Sequence, residues 1–113
     1  PYTVFMAKES TLKDDEFISS FTKALYKAQK RVYEESAAKV AKSISPYFED
    51  TDLALIEKVV ERYRSQESFA KDPIIDEKEF DNLLKVMTEA GVLEYDAKYE
   101  ELVNRSFADK VVK

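Results

Sequence analysis

At 113 residues, 44% apolar and 36% charged, the chain can build one modest core and is too apolar to be disordered. A net charge of −5 disfavours nucleic acid and anionic lipid as partners. The absence of Cys and His removes disulfides, thiol nucleophiles, Cys/His zinc sites and His-based triads. One Gly and three Pro are too few turn formers for an all-β chain, so long helices with short joints are expected. No apolar run approaches the roughly 18 residues that a membrane span needs.

The β-branched and aromatic run from Tyr2 to Met6 predicts a strand over about 2–7. Nothing later resembles a second strand. Its backbone groups would therefore have to pair with a sheet outside these residues, or between copies through an exposed edge. A first helix is expected over about 12–35, with Thr11 as N-cap and an inward stripe of Phe17, Phe21, Leu25, Ala28 and Val32. Ser36 caps a second helix over 37–45, with Val40 and Ile44 inward, stopped at Ser45-Pro46. Thr51 and Asp52 open a third over 52–65, striped by Leu53, Ile56, Val59, Val60 and Tyr63. After a loop to Pro73, Asp76 and Glu79 start a fourth over 76–90, with Phe80, Leu83, Leu84 and Met87 inward. Gly91 is placed to end it in the left-handed region, with Val92 folding back on Met87. One or two short helices are expected over 99–112. With no repeat or linker, residues 1–113 are expected to form a single mainly α domain.

Chemistry-bearing patterns are sparse. Ser-x-x-Lys occurs at Ser10/Lys13, Ser20/Lys23 and Ser36/Lys39, a spacing that puts a base one turn from a nucleophile. Three copies in a Lys-rich helical chain, without companion motifs, point to chance. Carboxylates cluster at Asp14-Asp15-Glu16, Glu49-Asp50-Thr51-Asp52, Asp76-Glu77 and Glu100-Glu101. None has the central Gly of a calcium loop, and most sit where a helix dipole favours negative charge. Lys23, Lys27, Lys30 and Arg31 share one side of the first helix, either as a partner-binding basic face or as a solvated face balanced by Glu34 and Glu35. No catalytic residue, metal site or cofactor is expected, and the chain is not expected to be an enzyme.

The order of motifs along the whole chain resembles a known family. Pro1-Tyr2-Thr3-Val4-Phe5-Met6-Ala7 precedes a helix containing Phe21-Thr22-Lys23-Ala24. Ile44-Ser45-Pro46-Tyr47-Phe48, Asp72-Pro73, Phe80 through Met87 with Ala90-Gly91 and Leu93, Tyr99-Glu100-Glu101-Leu102-Val103 and Ser106-Phe107-Ala108 follow in register. This series is similar to the late part of ABC-importer solute-binding proteins of the nitrate/taurine/sulfonate group, which includes the NMT1/THI5-like pyrimidine-precursor binders. One departure is Phe69, where many relatives carry Trp.

The resemblance implies an extracytoplasmic protein, periplasmic or a cell-surface lipoprotein, that captures a small solute and delivers it to an ABC permease. It implies that this chain is the C-terminal part of a two-lobed α/β periplasmic-binding-protein (type 2) fold. The strand would join the first lobe's sheet, and Pro1 and Tyr2, nearest the hinge, would be the ligand contacts. A homodimer through the edge strand is expected of the isolated piece. The alternative is a self-contained helical protein-interaction module acting through the basic face of the first helix.

Overall fold

The computed structural model describes residues 3–113. In chain order the elements are α1 (Glu9–Leu12), α2 (Asp15–Glu34), α3 (Ala37–Ile44), a 3₁₀ turn (Ser45–Tyr47), α4 (Leu53–Ser65), α5 (Glu77–Glu89), α6 (Tyr99–Leu102) and α7 (Ser106–Val112).

The mainly α expectation holds, but the strand does not form. Among the described residues there is no strand at all, and residues 3–8 have no regular structure. High β-propensity cannot make a strand without a neighbour to pair with. The edge that was to join another sheet, or pair between copies, is therefore absent, and the proposed strand-bearing α/β class is corrected to an all-helical arrangement of the described residues.

Helix starts follow side-chain chemistry. Asp14, rather than Thr11, caps α2: Phe17 N–H donates to Asp14 Oδ1 at 3.0 Å. Ser36 accepts from Lys39 N–H at 3.3 Å, Asp52 from Ala54 N–H at 2.7 Å, and Asp76 from Lys78 N–H at 2.9 Å. The N-cap position of α7 is Arg105, without a side-chain cap, and just before it Asn104 Oδ1 accepts from the Ser106 N–H at 3.1 Å and its hydroxyl at 2.7 Å.

Two helix ends share one geometry with different residues. At the end of α5, Val92 N–H reaches Met87 O and Gly91 N–H reaches Thr88 O, with Gly91 at φ 67°. At the end of α4, Ser68 N–H reaches Tyr63 O and Glu67 N–H reaches Arg64 O, with Glu67 at φ 53°. Both are Schellman endings, the second built on a residue that pays a steric cost in the left-handed region.

The chain divides into two compact units, Lys23–Asp72 and a second made of residues 1–22 with Pro73–Lys113. The first is built on α3 against α4. Its core is Ala37, Val40, Ala41, Ile56 and Val60, with Val32 and Ile44 packed on it. Ala41 is fully buried in this core. The second unit buries Phe80, Phe107 and Ala108. Phe80 meets the edge of Tyr99 at 5.6 Å, and the Tyr99 hydroxyl donates to Ile75 O at 2.5 Å.

Candidate functional site

Helix α2 shows how the surface is set. Its half-buried positions are Ile18, Ser19, Leu25, Tyr26, Gln29, Val32 and Tyr33, with Thr22 buried. This face includes Leu25 and Val32 from the expected stripe but is rotated away from Phe17, Phe21 and Ala28, which are exposed. Three polar side chains of this face donate to backbone carbonyls. Thr22 Oγ1 donates to Ile18 O at 2.8 Å, Gln29 Nε2 to Asp72 O at 2.9 Å, and the Tyr33 hydroxyl to Phe69 O at 2.6 Å.

Gln29 and Tyr33, one turn apart, therefore pin the loop that follows α4. Phe69 is held from the other side by the Tyr63 ring at 5.5 Å, and Lys71 pairs with Glu67 at 2.6 Å while lying 6.0 Å from the Tyr33 ring centre. The Lys71 ammonium pulls the Glu67 carboxyl below its usual range, and Glu67 raises Lys71 in turn. Where relatives were expected to carry Trp, Phe69 is thus a half-buried anchor of this loop.

Glu35 is the electrostatic centre of the Lys23–Asp72 unit. Its carboxylate accepts from Lys39 Nζ at 2.9 Å and from Arg31 Nε at 3.0 Å, and these hydrogen bonds hold its carboxyl below the usual range. Its backbone carbonyl accepts from Arg64 Nη2 at 2.7 Å, linking the α2–α3 joint to α4. In the other unit, Asp109 forms a forked pair with Arg105 at 2.9–3.2 Å. The guanidinium lowers the Asp109 carboxyl, and Asp109, with a smaller contribution from Tyr99, raises Arg105.

These contacts account for some of the sequence patterns. Ser36 and Lys39 are occupied by capping and by Glu35, so they are not arranged as nucleophile and base. On the basic face of α2, Arg31 is paired with Glu35, and Lys30 lies over the Tyr26 ring at 4.9 Å. Among the described residues, no group of three or more Asp or Glu could hold a metal ion, and no helix is long and apolar enough to cross a membrane. Pro1 and Tyr2, the expected ligand contacts, lie outside the described residues.

A further surface feature is aromatic. Phe5 meets Phe21 edge-on at 5.0 Å, and Phe21 stacks with Phe17 at 6.4 Å, yet all three rings stay open to solvent, at 72%, 40% and 55%. Val4 and Met6 are exposed beside them in sequence. The signal was present in the four-residue spacing of Phe17 and Phe21 off the Thr22–Gln29 face, but hydrophobicity alone assigns such rings to a core.

The chain is 45% identical over 112 residues to the Bacillus subtilis (strain 168) protein named "Putative binding protein YtlA". The match takes in 98% of this chain and 34% of that protein. No family model and no solved structure matches. The chain is therefore similar, over nearly all its residues, to about a third of a longer protein whose name describes a binding function.

Proposed function

We propose that the chain belongs to the substrate-binding component of an ABC importer, outside the cytoplasm, where it helps capture a small solute for a membrane permease. The observation that carries this is the 45% identity to a protein named for binding, extending over 98% of the chain. The ordered motifs from Phe21-Thr22-Lys23-Ala24 to Ser106-Phe107-Ala108 support the importer class. The solute would be a nitrate, a sulfonate, taurine or a pyrimidine precursor. Because the match takes in 34% of the relative, most of the solute site would lie in the remaining length, and no chemistry is assigned to these residues. A role as a self-contained interaction module gains less support, since Arg31 of the basic face is already engaged by Glu35.

Calorimetry with a protein of the relative's full length that contains this chain, titrated with nitrate, taurine, an alkylsulfonate and a pyrimidine precursor, tests the proposal. Saturable one-to-one binding of one of them is expected, while the 113-residue chain alone binds none tightly. No binding by the full-length protein to any of the four would sink it.

A further inference from the structure

The chain contains a single Asp-Pro bond, Asp72-Pro73. Such a bond is intrinsically labile for two chemical reasons. The aspartate carboxyl closes a five-membered ring on its own backbone carbonyl, an intramolecular attack with an effective concentration on the order of 10⁵ M or more. The proline nitrogen carries an extra carbon substituent, is more basic than an ordinary amide nitrogen, and leaves more readily once protonated.

The fold adds a third element at this bond. Gln29 Nε2 donates to Asp72 O at 2.9 Å in part-buried surroundings. That oxygen gains negative charge when its carbon is attacked, and a donor at this distance stabilises it. Gln29 is carried by the helix α2, so the donor is in place before the reaction starts. Its other amide atom, Oε1, is buried and has no hydrogen-bond partner among the described residues. That acceptor belongs to the amide on the reacting carbonyl and can orient a water molecule there. Asp72 and Pro73 are both half-buried. Side chains distant in sequence also donate to the carbonyls of Glu35, Phe69 and Ile75. Ser36, Ala70 and Asp76 follow those carbonyls, so none of them has a proline nitrogen to expel.

We propose that the Asp72-Pro73 bond is a self-cleavage site, with Asp72 as nucleophile and Gln29 as donor to the developing oxyanion. An oxygen of the Asp72 side chain bonds to the Asp72 carbonyl carbon, and the carbon–nitrogen bond to Pro73 breaks. The carboxyl proton passes to the Pro73 nitrogen, which becomes a new N-terminus. Water then opens the cyclic anhydride, restoring the side-chain carboxyl and leaving Asp72 with a C-terminal carboxyl. No oxidant, reductant or further reactant is needed. The products are residues 1–72 and 73–113. The second piece then stays with residues 1–22 through non-covalent contacts such as Lys110 with Asp15 at 3.7 Å. The proposal does not depend on the solute reading.

The test is incubation of the chain at about pH 5, where an ordinary carboxyl keeps its proton part of the time, followed by mass measurement. Wild type is compared folded and unfolded in urea, and with Gln29→Met, Tyr33→Phe and Asp72→Asn, each checked for helix content by circular dichroism. Folded wild type is expected to give fragments 1–72 and 73–113 about tenfold faster or more than the unfolded chain, and Gln29→Met to lose most of that gain. Tyr33→Phe releases the same loop at Phe69 without touching the Asp72 carbonyl, so it should keep the gain. Folded wild type cleaving no faster than the unfolded chain would overturn the proposal, and this comparison needs no variant to fold. Equal slowing by Gln29→Met and Tyr33→Phe would also overturn it, by marking Gln29 as a loop tether alone. Asp72→Asn cut at the wild-type rate would assign the cut to external attack and overturn it as well. Solute binding is not read in this experiment, so its outcome is separate from the calorimetry.

Discussion

The two compact units bury their apolar residues in different ways. Lys23–Asp72 is organised around two helices that meet through small and branched aliphatic residues, with Ala41 and Val60 at its centre. The other unit relies on aromatic rings, Phe80 and Phe107, supported by the Tyr99 hydroxyl on a loop carbonyl. Aliphatic close packing needs no hydrogen bond to fix its geometry, whereas a loop beside a ring does. The first unit should therefore be most sensitive to loss of aliphatic volume and the second to loss of a ring, while each also has one tyrosine hydroxyl on a loop carbonyl.

The largest effects should come from the cores. Phe80→Ala should cost about 3–5 kcal/mol and Ile56→Ala about 2–5 kcal/mol, measured by denaturant unfolding. Amide exchange sharpens the contrast: Ile56→Ala should release protection in residues 37–64 before residues 77–89, and Phe80→Ala the reverse. Simultaneous loss in both units would break the distinction drawn between them. Removing a polar tether is a smaller perturbation. Tyr99→Phe and Tyr33→Phe should each cost about 1 kcal/mol, because each leaves a backbone carbonyl without its donor.

The two Schellman endings provide a finer comparison. Gly91→Ala places a side chain in the left-handed region with no neighbouring atom within 4 Å, so it should cost about 1 kcal/mol through backbone conformation alone. Glu67→Gly removes that same strain at the end of α4 and should raise the melting midpoint, measured at high salt where the Lys71 pair contributes least. A fall there would show that the ion pair outweighs the backbone.

The smallest effect is one of pH. Glu35 has a folded carboxyl value below its unfolded one, so its contribution is present above about pH 4.5 and is lost as pH falls through the lower folded value. Glu35→Gln should flatten the acid limb of the stability curve and leave the limb above pH 6 parallel to wild type.

Helix positions were legible because their punctuation is local. Ser36, Asp52, Asp76 and Gly91 each act within one turn of the chain, and each appears where the sequence put it. Two expectations failed for non-local reasons. The run from Tyr2 to Met6 has strand composition, but a strand exists only with a partner. On α2, hydrophobicity favoured Phe17 and Phe21, whereas the buried face runs through Thr22, Gln29 and Tyr33. Those polar side chains become acceptable inside because Ile18, Asp72 and Phe69 offer carbonyls, and two of these acceptors are about forty residues away along the chain. The exposure of Phe17 and Phe21 was hidden by the same error, since both were expected in the core.

The tyrosines carry a practical consequence for labelling chemistry. Tyr47 and Tyr95 stand 83% and 73% exposed, whereas the phenols of Tyr33 and Tyr99 are committed to backbone carbonyls, one in each unit. A reagent that nitrates or iodinates phenol rings will modify Tyr47 and Tyr95 first. Later modification of Tyr33 or Tyr99, read by peptide mass, then dates the opening of each unit in a chain that has no tryptophan to report it.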